Sequence, residues 1–193
     1  MRGKQMAHIC SYQHVWTFDN FLRPILHNPE KIFGPHVRPG MRVMDVGCGA
    51  GFAALELARR VGDTGQVVAV DVQPEMLARV EKRARKLGLR GRIQTRLCQR
   101  ESVQVEGVFD LVNAFYMVHE VPDTKRFLGQ IRDCLAPGGV FLVIEPMFHV
   151  SKKRFQAMLT AAGQIGFEIV SHPRIRFSQA AVLALSSANL ADT

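Results

Sequence analysis

The chain has 193 residues, 47% apolar and 22% charged, with a net charge of +8; this fits one soluble domain with at most a small cap, and excludes a wholly disordered or collagen-like chain. No stretch approaches the roughly 20 uninterrupted apolar residues of a membrane helix, and no apolar run follows Arg2 and Lys4 to make a secretory signal. Cys10, Cys48, Cys98 and Cys134 form no CxxC pair, so reduced thiols and a cytoplasmic location are expected.

Residues 1–40 read as a helical cap or lid, with Trp16 and four of the nine prolines, Pro24, Pro29, Pro35 and Pro39. Asp19 is placed to cap a short helix carrying Phe21, Leu22, Ile25 and Leu26. Asn28-Pro29 has the order of an N-cap followed by proline at the first helical position, which predicts a second helix through Ile32 and Phe33. His8, Cys10 and His14 form an HxCxxxH arrangement, but three ligands without a paired motif do not make a metal site, and no metal is expected.

From Met41 the pattern alternates. Strands are predicted at 43–46, 67–70, 92–98, 109–113 and 140–144, and helices at 53–61, 74–87 (ending at Gly88), 122–135 and around Phe155 to Ile165. Pro137-Gly138-Gly139 reads as a turn, and 167–171 and 174–185 read as two last strands around His172-Pro173. The domain therefore spans 41–185, with a polar tail at 186–193. Continuous apolar strands alternating with helices imply a mostly parallel sheet covered on both faces. Ligands of such sheets sit beyond the strands' carboxyl ends.

The first strand runs into Gly47-Cys48-Gly49-Ala50-Gly51-Phe52, a loop whose glycines let backbone approach a ligand closely. Asp45 just before it repels a phosphate, and Phe52 stands where a dinucleotide fingerprint has a small residue. Both disfavour a nicotinamide-dependent oxidoreductase. A ligand with an ammonium and a sulfonium, such as S-adenosylmethionine, suits a carboxylate there. Asp71 ends the second strand 24 residues after Gly47, about the spacing at which an acid meets ribose hydroxyls.

These motifs resemble class I S-adenosylmethionine-dependent methyltransferases. Val43-Met44-Asp45-Val46-Gly47-Cys48-Gly49-Ala50-Gly51 is similar to their first motif and 67–71 to their second. Phe109-Asp110-Leu111-Val112 with Met117-Val118-His119-Glu120-Val121 is similar to their fourth-strand motif, and Leu135-Ala136-Pro137-Gly138-Gly139-Val140 to the turn before their fifth strand. The likeness covers roughly residues 28–185 and is nearest to the small-molecule branch containing arsenite and quinone-biosynthesis C-methyltransferases. It implies an α/β, Rossmann-like, doubly wound sheet of seven strands in order 3-2-1-4-5-7-6, the seventh antiparallel.

By the same resemblance, Asp45, Gly47, Cys48 (through its backbone), Gly49 and Gly51 hold the methionine portion. Asp71 takes the ribose hydroxyls and Val72 lies beside the adenine. Gln99 replaces the acid that often receives the adenine amine, and its amide oxygen accepts without charge. Asn113 lies near the sulfonium and amine. S-adenosylhomocysteine is the expected product.

For chemistry, His119 is the candidate general base, with Glu120 beside it and Glu145 ending the fifth strand at the same face. His14, Trp16, Phe18 and Phe21 are candidates to close over the cofactor. The expected acceptor is a small molecule. Nucleic acid is the alternative, as the acceptor of a methyl group or the partner of a non-catalytic module. It is favoured by nine Lys and Arg against Glu81 between 79 and 100, and by a loose likeness of Asn113-Ala114-Phe115-Tyr116 to the NPPY motif of base-amine methyltransferases. No aromatic residues interleave with those charges, which favours a solvated face.

Overall fold

The computed structural model describes residues 27–186. The helix expected after Asp19, the aromatic lid residues, the His8, Cys10 and His14 arrangement and most of the polar tail lie outside the described residues.

In chain order the elements are α1 (Pro29–Phe33), a 3-10 turn (Gly34–His36), β1 (Arg42–Val46), α2 (Phe52–Arg60), β2 (Gln66–Asp71), α3 (Pro74–Lys86), a 3-10 turn (Arg90–Arg92) and β3 (Ile93–Leu97). Then come β4 (Phe109–Phe115), a 3-10 turn (Val118–Glu120), α4 (Thr124–Asp133), β5 (Leu135–Pro146), α5 (Lys152–Gln164), β6 (Phe167–Ser171) and β7 (Ser178–Leu185). The sheet order is β3-β2-β1-β4-β5-β7-β6, with β7 antiparallel to both neighbours and the other pairs parallel. This is the order the resemblance implied.

Alternation of side chains across the parallel strands explains the two apolar layers. Val43, Val67, Leu111, Leu142 and Ile144 face α1, α2 and α3 through Phe33, Leu57 and Val80. Met44, Val68, Val112, Phe141 and Leu183 face α4 and α5 through Leu128, Ile131 and Leu159. Helix starts follow local chemistry. The side chains of Asn28, Asp123 and Ser151 accept the backbone N–H three residues on. Five residues are too few for a helix to stand alone, so α1 rests on burial of Ile32 and Phe33 in the first layer.

Most boundaries shift by a residue or two, and three of the differences have a clear local cause. Pro137-Gly138-Gly139 lies inside β5, where the register jumps from Phe109↔Leu135 to Leu111↔Val140. The turn chemistry is absorbed as a bulge: Gly138 has φ +76°, and a Cβ on Gly139 would lie 2.7 Å from the Phe109 carbonyl oxygen. β7 starts at Ser178 rather than 174, because Pro173 offers no N–H and Phe177 has φ +57°. α4 starts at Thr124, since the Asp123 side chain takes the cap.

Candidate active site

The carboxyl ends of β1, β2, β4 and β5 meet along one edge of the sheet, and the residues singled out as ligand-binding gather there. The loop after β1 is tied down by backbone: Cys48 N–H donates to the Val70 carbonyl at 3.0 Å and Gly51 N–H to the Cys48 carbonyl at 2.9 Å. Gly47, Gly49 and Gly51 have φ of +66°, +51° and +89°, a region L side chains avoid. A Cβ on Gly47 would sit 2.8 Å from the Met117 side chain, whereas one on Gly49 would meet nothing within 4 Å. Gly49 thus turns backbone toward open space, as a ligand cradle requires. Phe52 packs its ring 5.2 Å from Phe115 and 6.2 Å from Phe33, so its bulk serves the core under the loop.

Asp45 and Asn113 stand in register on neighbouring strands, and both are buried. Asn113 Nδ2 donates to Asp45 Oδ1 at 2.7 Å, which leaves Asn113 Oδ1 buried with no hydrogen-bond partner among the described residues. A buried bare acceptor costs roughly 1–3 kcal/mol, and a ligand ammonium or sulfonium is a group that relieves it.

Asp71 does more than was expected of it. Its Oδ2 accepts the Gly49 N–H and its Oδ1 the Gln73 N–H, both at 2.9 Å. The carboxylate therefore clamps the glycine loop to the start of α3. Burial pushes its pKa up, and the backbone N–H groups of Gln73, Gly49 and Val72 partly oppose that. A carboxylate has about four lone-pair sites, so these two described bonds leave capacity for ribose hydroxyls. Val72 is half-buried just beyond. Gln99 is exposed and sits in a tight turn, its backbone exchanging hydrogen bonds with Ser102 at 3.0 and 3.1 Å.

The 3-10 turn of Val118–Glu120, which the sequence reading missed, carries the candidate base. His119 Nδ1 lies 2.5 Å from Glu145 Oε2, and Val118 N–H donates to Glu145 Oε1 at 2.8 Å. Glu145 is 2% exposed, so a buried carboxylate holds both the turn and the ring. A carboxylate there accepts from Nδ1–H, leaving Nε2 as the ring's acceptor. Nε2 stands 3.9 Å from Glu120 Oε1. Burial raises the Glu120 pKa; His119 lowers it, while Glu145 and Asp71 raise it further. Arg154 donates to the His119 carbonyl at 2.9 Å, and the His149 ring lies 5.0 Å from that of His119. Asp45, Asp71, Glu120 and Glu145 make this cleft acidic in a chain that is basic overall, which suits a cationic ligand better than a phosphorylated one.

Other members were hidden from sequence reading. Tyr116, with φ +61° just past β4, places its hydroxyl 3.0 Å from His27 Nε2 and 2.5 Å from Ser178 Oγ. His27 Nε2 is also 3.0 Å from the Arg176 carbonyl, which only accepts, so the ring is the donor. These partners are 62 to 149 residues apart in sequence, and nothing local announces them. Arg83, counted in the basic stretch, donates to the Ala50 carbonyl of the glycine loop at 2.6 Å. Arg92 pairs with Asp63 at 2.5 Å and Arg85 with Glu81 at 3.9 Å. Part of that stretch is therefore internal structure.

Cys48, Cys98 and Cys134 are unpaired. Burial pushes the Cys98 and Cys134 thiols up to about 11 and about 12 and raises Cys48 well above its ordinary value, so all three stay protonated and poorly nucleophilic at neutral pH. No group of metal-ligating side chains occurs among the described residues, and none of their helices is long and apolar enough to cross a membrane.

Residues 38–182 match the family described as "Methyltransferase domain". The chain belongs to that family, within the class I S-adenosylmethionine-dependent methyltransferases. The ubiquinone/menaquinone biosynthesis C-methyltransferase UbiE of Edwardsiella ictaluri is 31% identical over 140 residues, which cover 72% of this chain and 53% of the relative. Aklanonic acid methyltransferase DauC of Streptomyces sp. is 34% identical over 110 residues, covering 56% of this chain and 50% of DauC. The chain spans about half the length of the curated relatives it matches. A SAM-dependent methyltransferase from Aquifex aeolicus superposes with a TM-score of 0.79, covering 91% of this chain and 100% of that one at 23% identity, a likeness of fold. In this methyltransferase domain, the glycine cradle, the bare Asn113 acceptor and the acidic cleft all fit S-adenosylmethionine, which serves as a co-substrate.

Proposed function

We propose that this chain transfers a methyl group from S-adenosylmethionine to a small-molecule acceptor whose reacting atom carries a proton. The observation that carries the reading is the convergence, at one sheet edge, of the open Gly49 cradle, the Asp45–Asn113 pair and Asp71. Asp45 and Asn113 face the amine and sulfonium, Asp71 the ribose, Val72 the adenine, and Gln99 the adenine amine. The bound co-substrate supplies an electrophilic methyl on sulfur. The chain's main task is then to hold the acceptor in line, about 3–3.5 Å from that carbon.

The acceptor–carbon bond forms as the sulfur–carbon bond breaks and its electron pair returns to sulfur. The acceptor's proton goes to His119 Nε2, while Glu145 fixes the ring and balances the imidazolium formed. Glu120 is the second proton acceptor in reach. Among the described residues Cys48 sits in the glycine loop and Cys134 is buried, which lends no support to a cysteine-assisted acceptor such as arsenite. The names of UbiE and DauC favour an organic small molecule over nucleic acid, and so does the internal use of Arg83 and Arg92.

Calorimetry tests this: S-adenosylhomocysteine is expected to bind one site with a dissociation constant on the order of micromolar, and NAD not at all. Preferential NAD binding overturns the reading.

A further inference from the structure

The opposite end of the same edge has the opposite electrostatic character. Between α1 and the connection from β6 to β7 lies a cavity of about 650 Å³, within the range that small molecules fill. Its charged lining is Lys31, Arg174 and Arg176, joined by His27, His36 and His172, and no carboxylate of the described residues lines it. A second cavity, of about 750 Å³, shares the residues 172–176 and adds Lys152, again with no carboxylate.

None of Lys31, Arg174 and Arg176 has an ion-pair partner among the described residues. The segments outside those residues hold two acids, Asp19 and Asp192, against Arg2, Lys4 and Arg23. On balance, then, those segments carry more positive than negative charge. Three unpaired cations held together repel one another, an arrangement that an anion relieves.

The walls are not only polar. Ile32, Pro35, Pro173 and Ile175 line the same space, so the site offers an apolar body as well as a charged end. The His172 ring is fixed by donating from Nδ1 to the Ala180 carbonyl at 3.1 Å. The cavity is also tied to the acidic cleft. His27 lines it and hydrogen-bonds Tyr116, which lies three residues after Asn113 and directly before Met117, the residue over Gly47.

We infer that this cavity is an anion site for the methyl acceptor, and that the acceptor is an organic acid: an apolar or aromatic body bearing a carboxylate or a phosphate group. This rests on the methyltransferase reading and deepens it by naming the substrate class. The two ligands would then be sorted by charge, the cationic nucleoside to the acidic cleft and the anion to the basic cavity.

The test uses the full chain saturated with S-adenosylhomocysteine at low ionic strength, titrated with benzoate, phenyl phosphate and neutral benzyl alcohol. Heats are read by calorimetry and the His36 and His172 ring signals by NMR. One of the two anions should saturate a single site with a dissociation constant on the order of millimolar, shifting both rings, and the tighter of them names the acid. Arg174→Ala with Arg176→Ala, both exposed on a loop, should weaken that binding at least about tenfold and leave S-adenosylhomocysteine affinity unchanged.

The inference falls if neither anion saturates, if benzyl alcohol binds equally well, or if the double variant binds as before. It also falls if a short RNA displaces the anion at many sites with shifts spread over residues 79–100, which makes the surface a polyanion face. Failure of S-adenosylhomocysteine itself to bind sinks the methyltransferase reading instead, so the two failures are distinguishable.

Discussion

The sheet's carboxyl edge has two ends built on opposite plans. Over β1 and β2 the groups that we assign to the co-substrate are glycine backbone and buried carboxylates, the carboxylates each already held by a neighbour: Asp71 by Gly49 and Gln73, Asp45 by Asn113. Over β6 and β7 the groups that we assign to the acceptor are exposed cations on an irregular loop, without ion-pair partners among the described residues. The first plan pre-organises a site before the ligand arrives. The second leaves charge available to attract one and to adapt to its shape. A methyltransferase needs one invariant co-substrate and a variable acceptor, and this contrast provides for both.

The largest test of the contrast is Asp71→Ala. It removes the proposed ribose acceptor and strands two backbone N–H groups, so S-adenosylhomocysteine affinity is expected to fall at least about a hundredfold and stability by roughly 1–3 kcal/mol. Calorimetry and urea unfolding read the two effects, and intact affinity would show that the loop needs no clamp. A smaller effect is expected from Glu145→Gln. Affinity for S-adenosylhomocysteine stays within about threefold, while the ¹⁵N signature of a single His119 tautomer gives way to a mixture, with a stability loss of about 1–3 kcal/mol. A persisting single tautomer would mean that something else orients the ring. The smallest effect belongs to Lys82→Glu with Arg85→Glu, which should change stability by no more than about 0.5 kcal/mol and leave affinity alone. Arg83→Ala on the same helix should weaken binding severalfold, since Arg83 holds the Ala50 carbonyl. Equal behaviour of the two variants would return all three residues to one solvated face.

What was legible in the sequence follows the same division. The strands at 43–46 and 67–70, the glycine loop and the acids flanking it are local patterns, and they stand where spacing put them. The seven-strand order came from the resemblance alone, and the last two strands with no helix between them are consistent with it. The Pro137-Gly138-Gly139 segment was misread because the same residues serve a turn or a bulge, and only pairing with β4 decides which. The Val118–Glu120 turn has no periodicity to detect at three residues; its hold on Glu145 spans 27. The basic cavity is assembled from α1 and the β6–β7 connection, more than 130 residues apart. No window along the chain contains it.

Because the side chain that we assign to the nucleoside also fastens the bend beneath it, ligand preference and loop architecture are not separable on that assignment. Exchanging Asp71 for a basic residue to admit a phosphorylated nucleotide would also release Gly49 and Gln73. Any redesign toward such a cofactor must therefore rebuild the bend first and change the ligand second.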